Sequence, residues 1–235
     1  MTALENQISP AQGGLDTKRF SHLNAHLERY VDDGRLPGFH VVVARHGKVA
    51  YQHLYGKRDI EASLPIAPDT IYRIYSMTKP ITSVALMMLV EEGKLLLTDP
   101  VSAFIPSFGS ARVWRGGSVL KPITEPVTEP MLVWHLLSHT AGLTYGFLYH
   151  SAVDDIYRRN GFEWGVPKGV TLEQACDAWA SMPLLFQPGT EWNYSVATDV
   201  VGRIVEVVSG QSLDEFFTQR IFAPLGMNST GFYVS

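Results

Sequence analysis

A serine hydroxyl and a lysine amine lie three residues apart in the stretch Ser76-Met77-Thr78-Lys79. An apolar run with helical spacing follows, so both side chains would lie on one face of a helix near its start. A serine hydroxyl is a weak nucleophile at neutral pH, and a neighbouring amine that accepts its proton activates it. A free lysine has a pKa of about 10.4. To act as a base near neutral pH, the amine would need a desolvated site or a nearby cation that lowers this pKa. The spacing indicates either nucleophilic catalysis or a serine helix cap beside a solvated lysine.

Two later segments are distinctive enough to favour the catalytic interpretation. Residues 188–195 read PGTEWNYS, a turn that presents Tyr194 at the head of a helix. Residues 136–143 read LLSHTAGL and mark the end of another helix. If Ser76 begins a helix, its own N–H and the helix dipole point at any anion that develops there.

Hydrophobic spacing predicts the elements in the first third of the chain. A helix should begin at the N-cap Asp16 and end at Gly34. Two β-branched runs, 38–45 and 49–56, flank a glycine-containing turn and predict a β-hairpin. Residues 59–68 carry two prolines and are predicted to form a loop that leads to Ser76.

The remainder of the chain is predicted to be mainly helical. Residues 106–130 hold four prolines and three glycines, which favours irregular surface structure. Helices are predicted over 80–92, 130–139, 172–182 and 194–208, then a Ser212–Glu215 capping box and a strand that begins at 230. Strands near both ends of the chain, separated by many helices, predict an antiparallel sheet with an inserted helical region.

Composition limits the classes of function. The 235 residues are 46% hydrophobic, which suits a globular protein with a core, and the net charge of −4 argues against nucleic-acid binding. The N-terminus has no signal-peptide pattern, and the longest apolar run, 84–90, is too short to span a membrane. Cys176 is the only cysteine and suggests a reducing compartment, so we expect a cytoplasmic protein without a membrane or nucleic-acid partner.

In their order along the chain, the three segments resemble the serine β-lactamase and penicillin-binding-protein superfamily. The closest branch is the class C β-lactamase-like enzymes, and within them the family VIII carboxylesterases. The resemblance implies a mixed α/β (α+β) fold of the β-lactamase type, with an antiparallel sheet flanked by helices and an inserted helical domain. We expect a flexible leader over 1–14, an α/β domain made of 15–75 and 212–235, and a helical domain over 76–211.

The resemblance also implies roles for individual residues. Ser76 would be the nucleophile that forms an acyl-enzyme, and its backbone N–H would supply half of an oxyanion hole. Lys79 would accept the serine proton or lower the pKa of the serine. Tyr194 would relay a proton to the leaving group or activate the deacylating water. No metal or organic cofactor is implied.

Two departures from the family pattern shape the expected function. The family's Tyr-x-Asn is here Tyr194-Ser195-Val196, and losing the amide favours simple esters over β-lactams. Val196 makes the site more apolar, and we assign it to substrate binding together with Tyr145. The family's third motif, Lys-Thr-Gly or a substitute, has no match in this sequence, so we expect that the C-terminal strands are lacking and that a second chain or fragment supplies them.

The predicted function is a serine carboxylesterase acting on short- to medium-chain esters. Alternatives are a β-lactamase or D-amino-acid peptidase, an acyltransferase, and a catalytically silent penicillin-binding-protein-like binding module. His135 and His139 have the i, i+4 spacing of metal ligands, but packing and turn roles are favoured. A set of aromatic residues could line an acyl pocket or pack between helices: Tyr145, Phe147, Tyr149, Phe162 and Trp164. Cys176 is assigned to packing.

Overall fold

A computed structural model describes residues 5–234 of the chain. The chain divides into two compact units, with the boundary between Arg73 and Ile74. The prediction that 212–235 joins 15–75 in one domain, with 76–211 as another, stays a prediction. In the described range, no helix is both long and apolar enough to cross a bilayer.

The first unit contains one helix and one antiparallel sheet. Helix α1 spans Arg19–Asp32, and strands β1 (Gly38–Arg45), β2 (Lys48–Asp59) and β3 (Leu64–Pro65) pair in the order β1-β2-β3. The hairpin agrees with the sequence-based prediction, and the predicted helix is present, but it follows Lys18 and not the predicted N-cap Asp16. The short strand β3 lies within the predicted loop 59–68, so this segment is partly more regular than the sequence predicted.

The N-terminal segment of this unit is hydrogen-bonded to the sheet. The backbone N–H of Gln7 donates to the carbonyl of Val49 at 2.8 Å, and the Gln7 side chain accepts from the N–H of Val49. Residues 1–4 of the predicted leader lie outside the described residues. The flexibility of the leader over 1–14 stays a prediction.

The second unit is mainly helical. Its helices are α2 (Thr78–Glu91), α3 (Val133–Leu137), α4 (Ala152–Arg159), α5 (Leu172–Ser181), α6 (Ala197–Ser209) and α7 (Leu213–Phe217), followed by a π-helical turn over Thr218–Phe222. Helices α2 and α6 pack together through fully buried side chains such as Leu86, Val201 and Ile204. Helices α2 and α6 therefore contribute a shared part of the hydrophobic core.

Residues 106–130 are more regular than the sequence predicted. Strands β4 (Arg112–Ser118) and β5 (Lys121–Pro126) form a second antiparallel sheet of two strands. Of the three glycines that suggested irregular structure, Gly109 lies in a 3₁₀ turn over Pro106–Ser110, Gly116 follows a register shift, and Gly117 lies near the tight end of the hairpin. Gly117 has φ 88°, and a Cβ there would lie 2.5 Å from the carbonyl oxygen of Lys121. The hairpin therefore requires glycine where the sequence pattern suggested only a loop.

The predicted helix ends are displaced by a few residues, and the predicted terminal strand is wrong in the described part. Residues 230–234 form bends and no strand, while Ser235 lies outside the described residues. The helix predicted from Tyr194 begins at Ala197, and the one predicted over 130–139 is limited to Val133–Leu137. Tyr194 therefore lies in the irregular segment that precedes helix α6.

Candidate active site

Ser76 lies in a short 3₁₀ turn, Tyr75–Met77, that runs directly into helix α2. The residue before it, Tyr75, has φ 44°, an uncommon conformation for a residue with a side chain. Such strain persists only where the surrounding structure holds it, and it concentrates at functional sites. The serine itself is exposed at this turn, as a residue that attacks a substrate must be.

The structure brings together the three residues that the sequence assigns to catalysis. The Ser76 Oγ accepts a hydrogen bond from the Tyr194 hydroxyl at 2.6 Å and from the Lys79 Nζ at 3.3 Å. The Lys79 Nζ also lies 4.7 Å from the centroid of the Tyr194 ring. Both groups that could take the serine proton are thus within hydrogen-bonding distance of it.

The surroundings of Tyr194 change the acidity of its phenol. Partial burial raises the pKa, but hydrogen bonds with Lys79 and Ser76, together with the positive charge of Lys79, outweigh burial. The pKa of Tyr194 is therefore lowered from its usual value of 10.0. A more acidic phenol is more readily present as the phenolate that accepts a proton from serine.

His139, which was not assigned to the site from the sequence, holds the Tyr194 segment in place. Its ring lies 4.9 Å from the Tyr194 ring, and its Nδ1 is 3.2 Å from the Oγ of buried Ser195. Its backbone carbonyl accepts from the N–H of Asn193 at 2.9 Å. Burial and then the charge of Lys79 lower the pKa of His139, which favours a neutral imidazole. The only indication of this role in the sequence was the distinctive motif LLSHTAGL over residues 136–143, which contains His139.

The segment 136–143 passes very close to the backbone of a neighbouring loop. Gly142 has φ 82°, and a Cβ there would lie 2.5 Å from the carbonyl oxygen of Phe186. Its own carbonyl accepts from the N–H of Leu185 at 2.7 Å. The glycine in LLSHTAGL therefore allows this segment to pack closely against the backbone of residues 185–186.

His135, which has the i, i+4 spacing to His139 that metal ligands often have, serves as a hydrogen-bond acceptor at a helix start. It is buried, and its Nδ1 accepts a hydrogen bond from the N–H of Leu132 at 2.9 Å at the start of helix α3. Burial lowers the pKa of its imidazole. Among residues 5–234, no group of three or more histidine, cysteine or acidic side chains is placed to bind a metal ion.

A cavity of about 540 Å³ opens beside Lys79. Tyr145 contributes to its wall, 5.5 Å from the Lys79 Nζ to the ring centroid, and its hydroxyl donates to the Asp199 Oδ2 at 3.4 Å. Burial and the neighbouring carboxylate raise the pKa of Tyr145, and burial also raises that of Asp199 although Lys79 opposes it. Tyr145, assigned to substrate binding from the sequence, thus lies at the cavity beside the candidate catalytic lysine.

Three other residues singled out in the sequence, Val196, Cys176 and Phe162, lie in the core. Val196 is fully buried at the start of helix α6, and its predicted contact with substrate stays a prediction. Cys176 is fully buried, and burial raises the pKa of its thiol. Phe162 packs edge-on against the buried Trp179, so it belongs to helix packing.

The proteins similar to this chain include two esterases. The chain is 35% identical over 227 residues to Esterase EstB from Burkholderia gladioli, covering 96% of this chain and 55% of that protein. It is 31% identical over 207 residues to lovastatin esterase from Penicillium rubens, covering 86% of this chain and 50% of that protein. The solved structure of EstCE1, described as a hydrolase with promiscuous acyltransferase activity, superposes with a TM-score of 0.78 at 36% identity.

The likeness to EstCE1 covers 92% of this chain and 53% of that one, so the chain spans about half the length of these relatives. The shared structure confirms the expected mixed α/β fold of the β-lactamase type. The family model described as Beta-lactamase matches residues 23–235. The chain belongs to the beta-lactamase family.

Proposed function

We propose that this protein is a serine carboxylesterase that forms an acyl-enzyme on Ser76 with short- to medium-chain esters. One observation carries the proposal: the Ser76 Oγ lies 2.6 Å from the Tyr194 hydroxyl and 3.3 Å from the Lys79 Nζ. A hydroxyl beside two groups able to take its proton is an activated nucleophile.

The proposed reaction has two steps. In the first, Tyr194 or Lys79 takes the Ser76 proton, the Oγ bonds to the ester carbonyl carbon, and the alcohol leaves with a proton returned by the same pair. The backbone N–H of Ser76 donates to the oxyanion that develops. In the second step, the pair takes a proton from water as the water oxygen attacks the acyl carbon, and it returns that proton to the Ser76 Oγ as the bond to the acyl carbon breaks and the acid is released.

Esters are favoured as substrates by the residues that follow the tyrosine. Val196 stands where the family pattern has an amide two residues after the tyrosine, and the structure buries both Val196 and the intervening Ser195. The names of the relatives support the same reaction class, since two of them are esterases. β-Lactam and D-amino-acid peptide hydrolysis are therefore less favoured.

Acyl transfer to an alcohol is a second candidate. The related EstCE1 is described as having promiscuous acyltransferase activity. An acyl-enzyme on an exposed serine is attacked by an alcohol through the same chemistry as by water. Adding methanol or butanol to the ester assay and measuring the new ester distinguishes transfer from hydrolysis.

The test is hydrolysis of p-nitrophenyl butyrate combined with labelling by a fluorophosphonate, followed by mass spectrometry of the labelled peptide. We expect one adduct, on Ser76, and loss of both labelling and turnover in Ser76→Ala. Ser83→Ala, on the same helix α2, is the matched control and should keep both. A protein that folds but is never labelled at Ser76 would instead be a catalytically silent binding module.

A cytoplasmic location, and a second chain or fragment that contributes to the site, also remain proposals. The location rests on the single cysteine and is tested by cell fractionation. Native mass spectrometry of the purified protein tests for the second chain.

A further inference from the structure

Three aromatic rings form a continuous row that begins beside the candidate catalytic lysine. The Tyr145 ring, 5.5 Å from the Lys79 Nζ, stacks on Phe147 with centroids 4.8 Å apart and an interplanar angle of 25°. Phe147 stacks on Trp164 at 5.3 Å and 14°. We call Tyr145, Phe147 and Trp164 the aromatic row.

The row passes from the protein interior to solvent. Tyr145 is buried, Phe147 is half-buried, and Trp164 is 79% exposed. An indole has one of the largest apolar surfaces of any side chain, and most of the Trp164 indole is open to solvent. Trp164 therefore presents a large flat surface to solvent at the outer end of a stack that leads to Lys79.

The loop that carries Trp164 is tied to the segment that carries Phe147. The N–H of Phe147 donates to the carbonyl of Glu163 at 3.1 Å, and the Tyr149 hydroxyl donates to the Glu163 carboxylate. The two backbones approach so closely that a Cβ on Gly146 would lie 2.8 Å from the Glu163 Cα. The rings are thus held in position before any ligand binds, which lowers the entropy cost of binding.

Further apolar side chains are exposed around the nucleophile. Tyr75 and Met77, on either side of Ser76, are 77% and 68% exposed, and Trp192, near Tyr194, is 66% exposed. The surface close to Ser76 is therefore rich in aromatic and polarizable groups, and it suits an apolar ligand of considerable area.

We propose that the aromatic row binds a planar aromatic group of the substrate, so that the site prefers esters that carry an aromatic ring on a short chain to esters that carry a saturated ring of equal size. Parallel rings favour another flat ring by stacking, whereas a saturated ring or chain gains only from buried area. The proposal deepens the proposed esterase function and rests on it, because the aromatic row starts at the site around Ser76.

Binding to the full chain carrying Ser76→Ala tests the proposal without turnover. Dissociation constants are measured by ligand-observed NMR for two matched pairs of esters. 4-Phenylbutyl acetate against 4-cyclohexylbutyl acetate tests the alcohol half, and methyl 5-phenylpentanoate against methyl 5-cyclohexylpentanoate tests the acyl half, because the ring must reach Trp164 at the outer end of the row. We expect the aromatic member of at least one pair to bind about three- to tenfold more tightly. Equal binding within both pairs would overturn the proposal.

Substitutions in the aromatic row show whether the preference comes from these rings. Trp164→Leu and Phe147→Leu should reduce the preference to about twofold or less, while Trp164→Phe, which keeps a stacking ring, should retain most of it. Trp164 is exposed, so its variants should fold, and circular dichroism checks this. A preference unchanged in Trp164→Leu would contradict the proposal.

The two proposals fail in different ways. Labelling of Ser76 and ester hydrolysis without any aromatic preference would leave the esterase proposal intact and remove the role of the aromatic row. An aromatic preference that Trp164→Leu abolishes, in a protein never labelled at Ser76, would support the aromatic row as a binding site and refute the esterase.

Discussion

At the scale of single residues, the site depends on how a lysine and a tyrosine share one serine. Tyr194 is closer to the Ser76 Oγ than Lys79 is, at 2.6 Å against 3.3 Å. The lowered pKa of Tyr194 depends on Lys79, which contributes both a hydrogen bond and a positive charge. This arrangement favours Tyr194 as the group that takes the proton and Lys79 as the group that makes it acidic.

This division of roles predicts a particular pH dependence. If the phenolate of Tyr194 is the base, kcat/KM should rise with pH through the pKa of Tyr194, which lies below 10.0. Removing the charge with Lys79→Met should move that inflection to higher pH and lower the rate near neutrality by about 10²–10⁴. The measurement is the pH–rate profile of both proteins with p-nitrophenyl butyrate.

The control is Lys121→Met, which removes a lysine from an exposed position in strand β5. Its profile should coincide with that of the unchanged protein. A Lys79→Met protein whose inflection does not move would mean that Tyr194 is not the titrating base.

At the scale of elements, the site is held by segments between helices. Tyr194 lies on the irregular stretch before helix α6, and the segment 136–143 lies against it through His139 and its backbone hydrogen bond with Asn193. The close approach at Gly142 fixes where this segment runs. A side chain at that glycine should therefore disturb the site as well as the fold.

Gly142→Ala and Gly161→Ala form a matched pair that isolates the effect of this approach. Both glycines have positive φ, 82° and 85°, but a Cβ at Gly161 meets nothing within 4 Å. We expect Gly161→Ala to cost about 1–2 kcal/mol of unfolding free energy from backbone strain alone. Gly142→Ala should cost clearly more and should also lower kcat. Urea denaturation followed by circular dichroism measures the difference, and equal costs would contradict this explanation.

At the scale of the whole molecule, packing of helices α2 and α6 sets the distance between the catalytic groups. Ser76 and Lys79 lie at the start of α2, while Tyr194 lies just before α6. The two helices pack through fully buried residues of the core. Ser76 and Tyr194 are 118 residues apart in sequence, and the packing of the two helices brings their side chains into contact.

Leu86→Ala tests the dependence of the site on the core. Leu86 is fully buried, whereas Val84 on the same helix is 51% exposed. We expect Leu86→Ala to lower the free energy of unfolding by about 2–5 kcal/mol because it leaves a cavity. Val84→Ala should cost less than about 1 kcal/mol. Thermal or urea unfolding measures both, and similar losses for the two variants would argue against this description of the core.

The sequence alone predicted what depends on local spacing. The helix before Gly34, the first hairpin, the helix after Ser76 and the family resemblance could all be read from periodicity and short motifs, because those patterns reflect local backbone preferences. The hairpin of β4 and β5 could not, since its glycines and prolines also fit an irregular loop. Its regularity comes from pairing between strands.

The tertiary structure alone decided which residues meet. It placed Tyr194 within 2.6 Å of Ser76, showed His139 against Tyr194, and buried Val196 in the core. It also separated Phe162, which packs in the core, from the aromatic row. Contacts between residues far apart in sequence depend on how whole helices pack, and side-chain spacing within one segment carries no information about that packing.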